Sequence, residues 1–170
     1  MSKGLLGIIA AIVICVGLMF SSYNGLVSMN ENVTGKWAQV ENQLQRRNDL
    51  VPNLVNTVKG YANHETEVFK QVSDARAKLG GAQTVAEASA ANNEMTTALG
   101  RLLMVAENYP DLKSNTNFIQ LQDELAGTEN RIAVARRDYN NAVQAYNARI
   151  KSLPASLYAG AFGFTARDYF

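Results

Sequence analysis

The clearest pattern in the chain is an apolar stripe that steps three and four residues at a time from Trp37 to Leu79. It passes through Val40, Leu44, Arg47, Val51, Leu54, Val58, Tyr61, Glu65, Val68, Val72 and Ala75. Such spacing keeps one face of a helix against a partner helix. Pro52 lies within the stripe, where it removes a backbone donor and crowds the carbonyl one turn back. The stepping stays in phase across it, so the pattern predicts one kinked but continuous helix over about 31–79. Two seam positions are charged, Arg47 and Glu65. Each either snorkels to the seam edge or meets an opposite charge on another helix.

Gly80-Gly81 then marks a turn. Thr84 followed by Glu87 has the spacing of a capping box, and it opens a second stripe through Val85, Ala88, Asn92, Met95, Leu99, Leu102, Ala106 and Tyr109. Pro110 closes that stripe. Asn115-Thr116-Asn117 offers caps for a third, which runs from Phe118 and Leu121 through Ile132, Tyr139 and Tyr146 to Leu153, where Pro154 stops it. The expected helices are therefore about 31–79, 84–108 and 117–152, and short connections force neighbours to be antiparallel. The predicted fold class is all-α: an N-terminal transmembrane helix, then an antiparallel up-down bundle of three long helices, or four if the first is split at Pro52. In this division residues 1–3 are a short tail, 4–24 the anchor, 25–153 the bundle and 154–170 an irregular aromatic tail. Phe162, Phe164, Tyr169 and Phe170 in that tail are expected to tuck against apolar surface.

The anchor is read from charge. No Asp, Glu, Lys or Arg occurs between Gly4 and Asn30, and Leu5 to Phe20 is almost wholly apolar. At about 1.5 Å per residue, such a run spans roughly 25–30 Å, a minimal bilayer crossing. A cleaved signal peptide is the competing reading, but no small-x-small pair follows Met19-Phe20. Lys3 and the amino terminus before the run mildly favour a cytoplasmic N-terminus and an exported bundle. Ile14 before Cys15 does not suit a lipidated cysteine, and Cys15 is read as packing.

Composition narrows the remaining chemistry. A net charge of +1 and a pI near 7.8 give no electrostatic case for nucleic acid. One cysteine excludes an intrachain disulfide framework. His64-Glu65 begins like a zinc-protease motif, but the chain has one histidine, so no metal or cofactor site is predicted. Asp123, Glu124 and Glu129 are read as solvated helix face, and Tyr139 and Tyr146 as core aromatics. Arg46-Arg47 and Arg136-Arg137 are assigned to inter-helix pairing. No catalytic constellation emerges, and the chain is not expected to be an enzyme.

Aligning the expected turns sets a register. It pairs Glu65 with Arg131 and places Arg47 near Asp111 or Glu107. It also leaves the membrane-proximal half of the first long helix without a partner in its own chain. Trp37, Val40 and Leu44 would then be exposed, and this predicts a homo-oligomer formed through them.

Several long strings are similar to one family. They are Tyr23-Asn24, Trp37, QLQRRNDLVPNLVNTVKGYANHE (43–65) and ENYPDLKSNTNFIQLQDELAGTENRIAVARRDYNNAVQAYN (107–147). Together they resemble the LemA family of bacterial membrane proteins over essentially all of the chain after the anchor. The resemblance implies an N-terminally anchored helical bundle of the bacterial envelope with no settled activity. Some relatives carry a lipidation cysteine just before the Tyr-Asn pair; Ser21-Ser22 stands there in this chain, and a spanning helix takes the place of the lipid.

Two functional classes follow. One is a self-associating, membrane-anchored interaction or scaffold protein. The other is an accessory or substrate-presenting subunit of another membrane machine, such as a protease or export system. The expected partners are the lipid bilayer, further copies of the chain and an unidentified membrane protein.

Overall fold

A computed structural model describes residues 2–170. Met1, part of the expected tail of residues 1–3, lies outside the described residues. Ser2 caps the first helix, its Oγ accepting from Leu5 N at 3.3 Å. From there α1 runs unbroken as Lys3–Lys59. At about 1.5 Å per residue its length is roughly 85 Å. The first part is apolar all round, and a segment long and apolar enough to cross a membrane has none of its residues buried within the protein. Beyond Ser22 a single stripe turns inward, through Leu26, Val33, Val40, Leu44, Arg47, Val51, Leu54 and Val58.

The helix passes through Pro52 as expected, but it does not continue to Leu79. The chain reverses over residues 60–65, and α2 (Thr66–Gly81) returns along α1. Lys59 Nζ lies 5.3 Å from the ring centre of Phe69, and Arg76 Nε donates to Asn48 O at 3.3 Å. The stripe remains in phase because α2 buries Phe69, Val72, Ala75 and Leu79, a face with the same spacing. Periodicity is blind to such a reversal when both arms of the hairpin are amphipathic. A Cβ at Gly80 would sit 3.2 Å from Asn48 Nδ2, so glycine allows α2 to close against α1 there.

Helix α3 (Val85–Ala106) opens with the expected capping box: Thr84 Oγ1 accepts from Glu87 N at 3.1 Å and Glu87 Oε2 accepts from Thr84 N at 3.3 Å. It packs antiparallel to α2. A short α4 (Pro110–Lys113) leads to α5 (Thr116–Lys151), capped by Asn115 Oδ1, which accepts from Phe118 N at 3.0 Å.

The extra reversal at residues 60–65 changes the direction of everything after it. Helix α5 starts at the far end of α1, where Asn115 Nδ2 donates to Tyr61 Oη at 2.9 Å, and descends towards the N-terminal apolar segment. Further down, Tyr139 packs against Trp37 with ring centres 5.2 Å apart and the rings tilted by 54°, and Tyr158 Oη donates to Ser22 Oγ at 2.7 Å. The described residues therefore form an all-α structure with a four-helix upper part and a lower part in which α1 and α5 are alone. The last residues, after a 3-10 turn at Ala155–Leu157, double back upward along the α1–α5 pair and end with Phe170 beside Trp37.

Candidate functional site

Polar side chains converge on the fold in two places. The upper one is a groove of about 490 Å³ between α3 and α5, with Arg47 of α1 at its base. Arg47 is only 3% exposed. Its Nη1 donates to Asn92 Oδ1 at 2.6 Å, while its Nε makes no hydrogen bond among the described residues. Burial lowers its pKa from the usual arginine value, and the Glu129 carboxylate across the groove works against that shift. Thr96, Asn93, Arg136 and Asn140 line the same groove. This set offers guanidinium and amide donors facing one carboxylate. The single histidine, His64, is exposed in the distant 60–65 turn, outside this groove. Among the described residues no three His, Cys, Asp or Glu side chains gather to hold a metal.

The lower convergence is the clamp on the C-terminal strap. Asn140 accepts from Phe170 N at 2.9 Å and donates to Phe170 O at 3.1 Å. One heptad on, Asn147 accepts from Arg167 N at 2.8 Å and donates to Arg167 O at 3.0 Å. Each side-chain amide thus plays the part of a neighbouring strand, satisfying both backbone groups of a strap residue. Tyr139 Oη adds a bond to Asp168 O at 2.6 Å, and Arg136 Nε one to Phe170 O at 2.9 Å. The Arg136 guanidinium also lies 5.5 Å from the ring centre of Phe170, a cation–π distance. Arg167 Nη1 reaches across to Asn30 Oδ1 on α1 at 3.1 Å. The hydroxyls of Tyr139 and Tyr146 are held above their ordinary pKa, chiefly by burial, with the Arg167 charge opposing it in both.

The predicted pairs fall differently. Glu65 lies at the start of α2, its carbonyl accepting from Phe69 N at 3.2 Å. Arg131 lies far below it, lining a shallow surface beside Gln39 and Gln43. Glu107 pairs with Lys113 at 2.8 Å across the α3–α4 turn, and Asp111 is exposed on α4. Neither meets Arg47. The cause is the missed reversal, which shifts the register: Arg47 lies level with Asn92 and Glu129 rather than with the α3–α4 turn. The same reversal covers the supposed free surface. Val40 and Leu44 are buried, and Trp37 is half-buried between Tyr139 and Phe170, so within one chain these three are covered rather than exposed. The strap that covers it starts at the near end of α1, because α5 descends. Of the clamp residues, Arg136, Asn140 and Asn147 were not predicted to bind the strap. Their common face on α5, at steps of four and seven, was the available signal.

A long N-terminal apolar helix continuing into an all-α bundle defines a class of membrane-associated helical proteins. The LemA family model matches residues 36–170, and the chain belongs to the LemA family. Among curated relatives, Magnetosome protein MamQ 2 of Paramagnetospirillum magneticum is 28% identical over 191 residues, covering 95% of this chain and 69% of the relative. Magnetosome protein MamQ of Magnetospirillum gryphiswaldense is 27% identical with the same coverage. Protein LemA of Metamycoplasma hominis is 22% identical, over 81% of this chain and 65% of the relative.

Proposed function

We propose that the chain is a membrane-anchored, non-enzymatic scaffold of the bacterial envelope. Its N-terminal helix crosses the membrane once with the amino terminus in the cytoplasm, and its bundle stands on the exported side. The observation that carries this reading is the continuity of α1. One uninterrupted 57-residue helix supplies both the apolar segment and the central post of the bundle. A hinge between anchor and domain would let the bundle tumble. A continuous helix clamped by α5 and the strap instead holds the far end, with α2, α3 and α4, at a fixed height above the bilayer. Family membership supports a membrane protein, and the groove chemistry supports binding rather than turnover.

The test is crosslinking in native membranes followed by purification of the full chain and identification of what is attached. A scaffold gives discrete crosslinked species with other membrane or envelope proteins, at positions on α2, α3 or the upper half of α5. A chain that crosslinks to no protein at any of these positions overturns the reading. Release of the intact chain by carbonate washing overturns the spanning anchor.

A further inference from the structure

We infer that the corner after α5 is a second membrane-insertion element, entering the same leaflet through which the anchor emerges and taking a lipid acyl chain against the anchor. Outside the N-terminal segment, the large apolar side chains most open to solvent include Leu153 and Leu157, each 73% exposed, and Phe162, 64% exposed. All three belong to residues 152–166, a stretch with no Asp, Glu, Lys or Arg. The fold sets this uncharged stretch beside the other uncharged stretch, the Gly4–Asn30 part of α1. The Tyr23 ring lies 5.4 Å from that of Phe162 and 5.8 Å from that of Phe164. On the strap charge returns at Arg167, whose Nη1 bonds Asn30 Oδ1 just below Glu31 of α1, and on α5 it returns at Lys151, about level with Gly25.

The height of the corner follows from the helices. With Tyr139 level with Trp37 and both helices rising about 1.5 Å per residue, α5 reaches the level of Ser22 near residue 154. That is where the apolar run of α1 ends. Between the corner and α1 lies an apolar groove of about 540 Å³, lined by Cys15, Met19, Phe20 and Tyr23 on α1 and by Tyr158 and Phe162. Cys15 is two turns inside the apolar run, so the groove opens at hydrocarbon depth. The buried polar pair at this depth is matched within the chain: Ser22, 4% exposed, receives the Tyr158 hydroxyl, which suits a site without water. A corner bearing Leu153, Leu157 and Phe162, with tyrosines just above, has the make-up of an interfacial anchor. The occupant is lipid rather than a second protein because the groove is continuous with the lipid-facing side of the span.

This inference rests on the spanning reading of α1, and the test separates the two. Full-length protein carrying Cys15→Ser receives a single environment-sensitive NBD label at Ile12→Cys, Leu157→Cys or His64→Cys. It is reconstituted in vesicles of equal parts phosphatidylethanolamine and phosphatidylglycerol, with or without brominated acyl chains. The expected result is blue-shifted emission and bromine quenching at 12 and 157, and aqueous emission without quenching at 64. Adding Leu153→Asp and Phe162→Asp, both exposed sites, is expected to abolish quenching at 157 and leave it intact at 12. Loss of quenching at 12 would remove the spanning reading and this inference with it. Quenching at 12 with none at 157 would overturn the corner alone, whether the label there is aqueous or shielded by protein. Quenching at 157 that survives the two aspartates would also overturn it, since proximity without insertion would then suffice.

Discussion

The upper and lower parts of the bundle solve the same problem, covering the inner face of α1, with different materials. Above Leu44 the cover is helical: α2, α3 and α5 supply apolar side chains such as Val72, Met95, Leu102 and Ile132, and the odd member of the α1 face they cover is the buried Arg47. Below Leu44 only α5 is helical. The rest of the cover is the strap, whose aromatic residues fill the space and whose backbone is satisfied by asparagine side chains of α5. An irregular segment cannot satisfy its own backbone groups as a helix does, so it depends on a few specific polar partners. Outside the Arg47–Asn92 pair the upper part should therefore tolerate single polar changes, whereas the lower part should come apart as a unit.

The largest expected effect is at Tyr139 of α5, fully buried between Trp37 of α1 and the strap. Tyr139→Ala removes the ring against Trp37 and the bond to Asp168 O, and should cost about 3–5 kcal/mol, the scale of large aromatic truncations. Hydrogen exchange should show the loss confined to residues 22–44 and 132–170, with α2 and α3 protected as before. Uniform deprotection along the whole chain would erase the distinction between the parts.

A change of opposite sign is expected above. Arg47 is desolvated and bonded through Asn92, with Glu129 its facing charge. Replacing a buried polar pair by apolar residues of similar volume is often neutral or stabilising, by up to about 1–4 kcal/mol. Arg47→Met with Asn92→Leu should thus raise the urea midpoint, while Asn92→Ala alone, which strands the guanidinium, should lower it. If the double variant is the less stable of the two, the buried arginine holds the upper bundle together rather than straining it.

Asn147→Ala is smaller. Two hydrogen bonds to Arg167 are lost, but the freed backbone groups lie near water, so about 1–2 kcal/mol is expected. Limited proteolysis should nevertheless find new cuts between Phe164 and Phe170. A strap as resistant as before would show that its aromatic side chains alone retain it.

How much of this was legible in the sequence depends on the kind of signal. The stripes (apart from the exposed Tyr61 and Leu153), the Thr84–Glu87 box, the Asn115 cap and the helix of the charge-free N-terminal run each act locally, and each is found in the structure. The reversal at residues 60–65 was not legible, because Tyr61 and Glu65 happen to keep the count in step and Gly60 is a weaker stop than Pro52 appears on paper. From that one miss came the misplaced partners of Arg47 and Glu65 and the exposed face assigned to Trp37, Val40 and Leu44. The strap clamp was hidden for another reason. Asn140 and Asn147 bind backbone, and a backbone partner leaves no mark on the sequence it belongs to.

Alkaline titration should separate the two parts with the smallest perturbation, since nothing changes at neutral pH. Tyr139 and Tyr146 both lie in the lower part, and burial raises the pKa of each above its ordinary value. For Tyr139, Arg167 pulls the other way while Asp168 adds to the rise. A raised folded pKa means that the unfolded chain loses its protons first. The stability gained from keeping these hydroxyls neutral is therefore complete below the unfolded value, about 10, and is lost as pH climbs through the folded values. Stability measured from pH 7 to about 9 should stay free of this effect, then fall above pH 10, with the lower part opening first in hydrogen exchange. Tyr146→Phe keeps the ring and removes one of the two ionisations, so it should make the alkaline fall shallower. A fall of unchanged steepness in that variant would mean that Tyr146 ionises equally readily in the folded and unfolded chain.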